Sequence, residues 1–262
     1  MNRIGLEAQV VRELSPGDVV RAASGACFDM AGVYIDPDVW TRAITRDVRA
    51  AFAQTGVAPL EAEVIRLGDS IDDRDRRIIE IAAEIGMPCL IVVAMSQDPD
   101  RNADLLAELA ALSAAVGVQS VLEFGAFTAV PDVDAALAAV SRAEGRVGIL
   151  PDPIHLARGG GLPADLARIP AALMPFAQIC DAEDPQAVMT PKSLLEEARH
   201  HRLNIGEGTL PLDAYYRALP ASIPLSNEVR SIAWEKRYPD PFERAQVLAA
   251  SMRAWLAHMG ED

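Results

Sequence analysis

The run PCLIVVAM, residues 88–95, decides the fold. It is almost continuously apolar, the pattern of a parallel strand that is covered on both faces. A helix follows over about residues 100–115 and Gly117 closes it. A second apolar run, Val121-Leu122, then ends on Glu123. Strand, helix and strand at this spacing read as one βαβ unit, whose crossover sets its two strands parallel.

The same alternation extends in both directions. Upstream, strands are expected at 4–11, at 30–35 and within 57–67. Ser15-Pro16 supplies an N-cap with proline at the first helical position, Asp36-Pro37 opens a second helix, and 69–85 is an amphipathic third. In the third strand Leu60, Ala62 and Val64 alternate with Glu61, Glu63 and Ile65, and the two glutamates face either the barrel mouth or solvent. Downstream come a helix at 132–142, a strand ending at Asp152, and an irregular helical segment broken by Gly159-Gly160-Gly161. A strand within 173–180, helices at 191–201 and 212–219, a strand ending at Glu228 and a closing helix at 241–258 complete the chain. Eight alternations predict a single-domain (β/α)8 TIM barrel over residues 1–262, with the last strand paired to the first. The rival, an open doubly wound sheet, lacks a G-x-G-x-x-G after the first strand.

Composition narrows the function. A formal net charge of -14 and the absence of any long basic run argue against nucleic acid as a partner. No apolar stretch approaches the roughly 20 residues that span a bilayer. Glu7 and Gln9 interrupt the N-terminal apolar run, which therefore does not read as a signal peptide. Cys27, Cys89 and Cys180 are odd in number, without C-x-x-C spacing, and are expected as buried free thiols. A cytoplasmic protein acting on a small molecule is the expectation, and a homo-oligomer is compatible with it.

Four of the apolar runs end in polar, metal-competent residues: Glu123, Asp152, Gln178 and Glu228. In a barrel of this kind the C-terminal strand ends carry the active site, so strands five to eight bring these side chains together. Three carboxylates and an amide oxygen are a hard donor set, which favours Mg²⁺ or Mn²⁺ over Zn²⁺. Crowded carboxylates repel one another unless a cation relieves them. His155, three residues beyond Asp152, lies on the first turn past the strand end. Arg158 with the three glycines that follow reads either as a phosphate cradle of backbone N–H groups or as a flexible loop. His200 and His201 end a helix and are expected in solvent.

Five segments resemble the sugar phosphate isomerase/epimerase group of xylose-isomerase-like barrels: VLEF, LPDPIHLARGG, AQICDAE, RLNIGEGTLPL and LSNEV, in this order. The resemblance implies that Glu123, Asp152, Gln178 and Glu228 are the metal ligands. Glutamine at position 178 is similar to the hydroxypyruvate isomerase and inosose dehydratase branches, where many other members carry histidine. By the same resemblance His155 contacts substrate oxygens and Arg202 lies near the bound sugar, with Asp181 and Glu207 as further substrate contacts. One departure is the Asn204-Ile205 pair before Gly206, where the group usually has proline.

The chemistry this implies is proton abstraction next to a carbonyl, through an enediolate, with Mn²⁺ or Mg²⁺ as cofactor. Glu123 and Glu228 are the acid–base pair and His155 assists them. Return of the proton to the neighbouring carbon gives an isomerase, and return to the opposite face an epimerase. Departure of a β-hydroxyl from the same intermediate gives a dehydratase or lyase. A DNA-repair endonuclease shares this barrel ancestry but uses a multi-histidine metal cluster, for which four histidines and an acidic chain are a poor match. A non-catalytic sugar-binding barrel would have lost its metal ligands, and all four are in place.

Overall fold

A computed structural model describes residues 2–183 and 189–260. The strands are β1 (Ile4–Leu6), β2 (Met30–Tyr34), β3 (Ala58–Leu67), β4 (Cys89–Ala94), β5 (Gln119–Glu123), β6 (Gly148–Leu150), β7 (Ala177–Ile179) and β8 (Leu225–Asn227). The α-helices are α1 (Pro16–Gly25), α2 (Arg42–Thr55), α3 (Asp73–Ile85), α4 (Pro99–Ala114) and α5 (Val133–Val140), then α6 (Pro153–Arg158), α7 (Pro191–His200), α8 (Leu212–Ala218), α9 (Ile232–Arg237) and α10 (Pro241–Met259). The strands are parallel and follow the order β6-β5-β4-β3-β2-β1-β8-β7. The last strand pairs with the first, Ile4 opposite Leu225 and Leu6 opposite Asn227. At the remaining seam the Gln178 N–H donates to the Pro151 carbonyl at 2.9 Å, linking the ends of β6 and β7. The result is a nearly closed (β/α)8 barrel.

Local chemistry fixes the helix starts. Ser15, Asp98, Asp132, Thr190 and Asp240 each accept a backbone N–H from the first turn they precede. Proline occupies one of the first two positions of α1, α4, α6, α7 and α10. Such caps contribute typically about 1 kcal/mol each, and proline there costs no hydrogen bond. At α6 the cap is Asp152, whose Oδ1 accepts from Ile154 N at 2.9 Å. One carboxylate thus starts a helix and faces the mouth of the barrel.

Several boundaries differ from the sequence reading. The first strand stops at Leu6, because Glu7 turns its carboxylate onto the N–H of Gln9 at 2.8 Å and caps a short 3-10 turn, Ala8–Val11. Val10 and Val11 are buried by that turn, so their apolar character does not extend the strand. The second helix starts at Arg42 under a Thr41 cap, and Asp36-Pro37 instead begins a tight turn in which Asp38 N–H bonds Asp36 Oδ1 at 3.2 Å. Helix α9, capped by Ser231, lies beyond the elements read from sequence. Cys89 and Cys180 are buried free thiols as expected, but Cys27 is exposed, at φ +61° in the turn after α1.

Two apolar layers result. Strand side chains such as Leu6, Leu90, Leu122 and Ile179 pack outward on helix residues such as Val20, Ile81, Leu106 and Leu248. Inside the barrel Met30, Leu60, Ile91, Val121, Leu150 and Phe176 form the floor. Above that floor both glutamates of β3 are buried, because register shifts on either side of the strand break its simple alternation. Glu61 sits against Gly32, where a Cβ would come within 2.7 Å of its Oε1, and accepts the Ser226 hydroxyl at 2.9 Å.

Burial pushes the Glu61 carboxyl up to about 8, and it pushes Glu63 up to about 7. The folded barrel therefore favours both groups protonated. Their contribution to stability is complete below the ordinary carboxylate range and is lost as pH rises through 7 and 8. Glu61→Gln, which keeps an acceptor for Ser226 and never ionises, should flatten that loss and raise the melting temperature at pH 8.5 relative to wild type. Melting curves between pH 5 and 9 check this, and parallel pH profiles for the two proteins would refute it.

Candidate metal and substrate site

Alternation along β5 to β8 brings the candidate residues to one place. Val121, Leu150 and Phe176 belong to the floor, and two residues on from each, Glu123, Asp152 and Gln178 face the same interior one layer higher. Glu228 follows Ser226 in the same way at the end of β8. Glu123, Gln178 and Glu228 line a cavity of about 720 Å³, counted out to its open mouth, together with His155, Arg202 and Arg230. Phe127 meets the His155 ring edge-on, with ring centroids 5.2 Å apart.

Asp152 has no exposure at all. Burial alone would raise its carboxyl, yet the Arg202 guanidinium, His155 and the Ile154 N–H hold it below the ordinary value. Arg202, 1% exposed, is the hub. Its guanidinium contacts Asp152 Oδ2 at 2.6 Å, Cys180 Sγ at 3.1 Å, Glu228 Oε1 at 3.2 Å and His155 Nε2 at 3.4 Å. Its Nε donates to the Ala198 carbonyl at 2.7 Å, tying α7 to the site. Glu123 is pushed up to about 7 by burial first and the Asp152 charge second, against Arg202 and Arg230. Glu228 is raised by burial, with Arg202 pulling the other way. His155 is pushed down to about 4, chiefly by burial, so its imidazole is neutral at pH 7 and keeps a lone pair for a ligand.

The residues present fit a divalent cation. His155 Nε2 lies 3.6 Å from Glu123 Oε1 and 3.6 Å from Asp152 Oδ2. Two donors on one tetrahedral zinc, at about 2.1 Å each, would stand roughly 3.4 Å apart. Glu123, Asp152 and His155 accordingly form a group able to hold a metal ion. Gln178 Oε1 and Glu228 Oε2 are buried without a hydrogen-bond partner, the condition expected of oxygens that await a cation. His155, read from sequence as a substrate contact outside the metal shell, is grouped by geometry with two of the carboxylate ligands.

Asp181 and Glu207 do not reach the cavity. Asp181 accepts the backbone N–H groups of Ala182, Gly206, Gly208 and Leu210 at 2.8 to 3.1 Å and so folds the 203–210 loop around itself. A Cβ at Gly208 would lie 2.3 Å from the Ala182 carbonyl, so this loop needs its glycine. Glu207 accepts from Trp234 Nε1 at 2.8 Å and pairs with Arg237 at 3.1 Å. Nor do the three glycines make a phosphate cradle. Gly159 and Gly161 pack against Pro131 and Leu156, and Arg158 is bound to Glu197 and the Glu183 carbonyl. Sequence reasoning missed three arginines that line the cavity, Arg66, Arg199 and Arg230. Arg230, two residues beyond Glu228 on a strand-end segment, was open to detection. Arg199, on an ordinary amphipathic helix, carried no signal.

The fold agrees with what is known of other proteins. A family model described as xylose isomerase-like TIM barrel matches residues 23–257. The chain belongs to this family. No curated protein is significantly similar to it in sequence. Among solved structures, a xylose isomerase-like TIM barrel/4-hydroxyphenylpyruvate dioxygenase fusion protein shares 20% identity with a TM-score of 0.81, and the chain, covered over 95%, spans only 42% of that protein's length. The IOLI protein with a bound zinc atom is 18% identical, with a TM-score of 0.79 over 95% of this chain and 96% of that one. L-ribulose 3-epimerase is 17% identical, at 0.71 over 100% and 95%. The probable 3-DHS dehydratase AsbF of Bacillus anthracis is 12% identical, at 0.72 over 97% and 96%. At these identities the likeness is one of fold. No helix among the described residues is long and apolar enough to cross a membrane.

Proposed function

We propose that this barrel is a metal-dependent isomerase or epimerase of a sugar or keto-sugar, working by proton transfer next to a carbonyl, with Mn²⁺ or Mg²⁺ as the cation. The observation that carries the reading is the placement of Glu123 and Glu228 on separate strands, both lining one cavity with His155 and Gln178. A bound divalent ion would stabilise the negative charge that develops on the carbonyl oxygen. The chain's own groups do the rest. Either glutamate, once ionised, takes the proton from the carbon beside the carbonyl, and the same or the facing glutamate returns it. Burial raises both carboxyls, and it brings Glu123 to about 7, in the neutral range where such exchange is efficient. A dehydratase or lyase reading uses the same first step, and the fold's likeness to a probable 3-DHS dehydratase favours keeping it as the second reading.

The test is NMR detection of solvent deuterium entering a substrate carbon, over a panel of ketoses, keto-sugars and inososes with added Mn²⁺. Wild type should catalyse the exchange, and Glu123→Gln should slow it by about 10²- to 10⁴-fold. Exchange at wild-type rate in that variant would remove Glu123 from the chemistry. Absence of exchange over the whole panel would count against the reaction class.

A further inference from the structure

The outer part of the cavity is lined by several guanidiniums. Arg202 contacts both Asp152 and Glu228 in the buried part. Three further guanidiniums line the same cavity: Arg66 on β3, Arg199 on α7 and Arg230 after β8. They are graded outward, Arg202 being buried, Arg199 and Arg230 half-buried and Arg66 exposed. Arg230 approaches Glu228 only at 3.8 Å. Among the described residues neither Arg66 nor Arg199 has a carboxylate within ion-pair distance, although the chain has 38 acidic residues against 24 basic ones. Elsewhere on the surface arginines such as Arg21, Arg142 and Arg237 take such partners.

Gathering like charges in this way is unfavourable. Arg199 has its guanidinium destabilised by burial first, and then by Arg66 and Arg230. Three cations from three separate elements, two of them without a carboxylate within ion-pair distance among the described residues, are the arrangement that a bound anion relieves. The molecule as a whole, at a formal charge of -14, repels anions, so a local positive mouth is what draws one in.

We propose that Arg66, Arg199 and Arg230 form a receptor at the outer end of the cavity for an anionic group of the substrate, a carboxylate or a phosphate. This rests on the reading of the cavity as the site of a polyhydroxy carbonyl substrate, and it narrows that class to sugar acids or sugar phosphates. The carbonyl end lies among Glu123, His155 and Glu228, and the anionic end lies among the arginines. Substrate length is thereby fixed at both ends, and the reacting carbon is positioned by binding energy from a remote group.

The test has two arms. Inorganic phosphate and malonate are each titrated by calorimetry, at low ionic strength and without added metal, into wild type and into Arg66→Gln, Arg199→Gln and Arg168→Gln. Arg168 pairs with Asp134 on the surface away from the cavity and serves as the control. One of the two anions should bind in a one-to-one ratio. Arg66→Gln and Arg199→Gln should each weaken it about tenfold or more, and Arg168→Gln should leave it unchanged. Preference for phosphate or for malonate tells a phosphoryl from a carboxyl end. In the second arm solvent-deuterium exchange is followed on a neutral ketose, its phosphate and the corresponding sugar acid. An anionic member should exchange, with kcat/KM lowered in Arg199→Gln through both a raised KM and a reduced kcat, and unchanged in Arg168→Gln. Lack of anion binding, equal binding in all variants, or exchange confined to neutral members overturns the receptor. Anion binding that depends on Arg66 and Arg199, with no exchange in any substrate, supports the receptor and counts against the isomerase reading alone.

Discussion

Arg202→Met is expected to destabilise the metal-free protein by about 3–5 kcal/mol, because removing one partner of a buried ion pair leaves the other charged and unpaired. For a chain of this length that lowers the melting temperature by on the order of 10 °C. The guanidinium contacts Asp152 at 2.6 Å and Glu228 at 3.2 Å, and Asp152, fully buried, cannot recover its hydration. Methionine fills similar volume, so the loss reports charge rather than a cavity. Lysine restores the charge but cannot place separate donors on Asp152, Cys180 and Glu228, and Arg202→Lys should recover only part of the stability. Added Mn²⁺ should stabilise the methionine variant more than wild type, since two carboxylates there have lost their counter-charge. A melting temperature within about 2 °C of wild type would show that the pair is not a charged one. Equal stabilisation by Mn²⁺ in both proteins would separate the metal from these carboxylates.

The residues that sequence made legible are those whose roles depend on short-range pattern. PCLIVVAM is β4 almost to the residue, because a strand covered on both faces has no polar position to blur its ends. Ser15-Pro16 starts α1 for a reason contained in two adjacent residues. Glu123, Asp152, Gln178 and Glu228 were open to detection because the barrel topology converts strand ends into one place. What escaped depends on bonds across the fold. Glu61 and Glu63 show alternation like any strand residue, and only the register shifts of β3, with Gly32 leaving room for Glu61, put them inside. Asp181 sits in a segment that resembles a substrate-binding one, yet four backbone N–H groups from its own neighbourhood and the 206–210 loop consume its carboxylate. Arg202 was legible as a site residue, but its place between the acids was not, because nothing local to RLNIGEGTLPL refers to Asp152 fifty residues earlier.

The second large effect concerns His155 and decides the composition of the metal site. The four-oxygen set drawn from sequence leaves His155 to the substrate, whereas the geometry groups its Nε2 with Glu123 and Asp152. A neutral imidazole, held at 3.6 Å from both carboxylates and stripped of water, is a ready nitrogen donor, and a charged one would be repelled by any cation. His155→Ala should therefore weaken Mn²⁺ binding by about 100-fold, the upper range for loss of a residue that supports a metal site, with turnover falling alongside it. Excess metal should restore part of that turnover. Glu228→Gln, whose Oε1 is taken by Arg202 while Oε2 remains without a partner, should lose less affinity than His155→Ala. Calorimetric Mn²⁺ titration beside single-turnover kinetics, for wild type and both variants, reads the two quantities separately. Unchanged metal affinity in His155→Ala together with depressed turnover would return His155 to the substrate and leave the cation to Glu123, Asp152, Gln178 and Glu228.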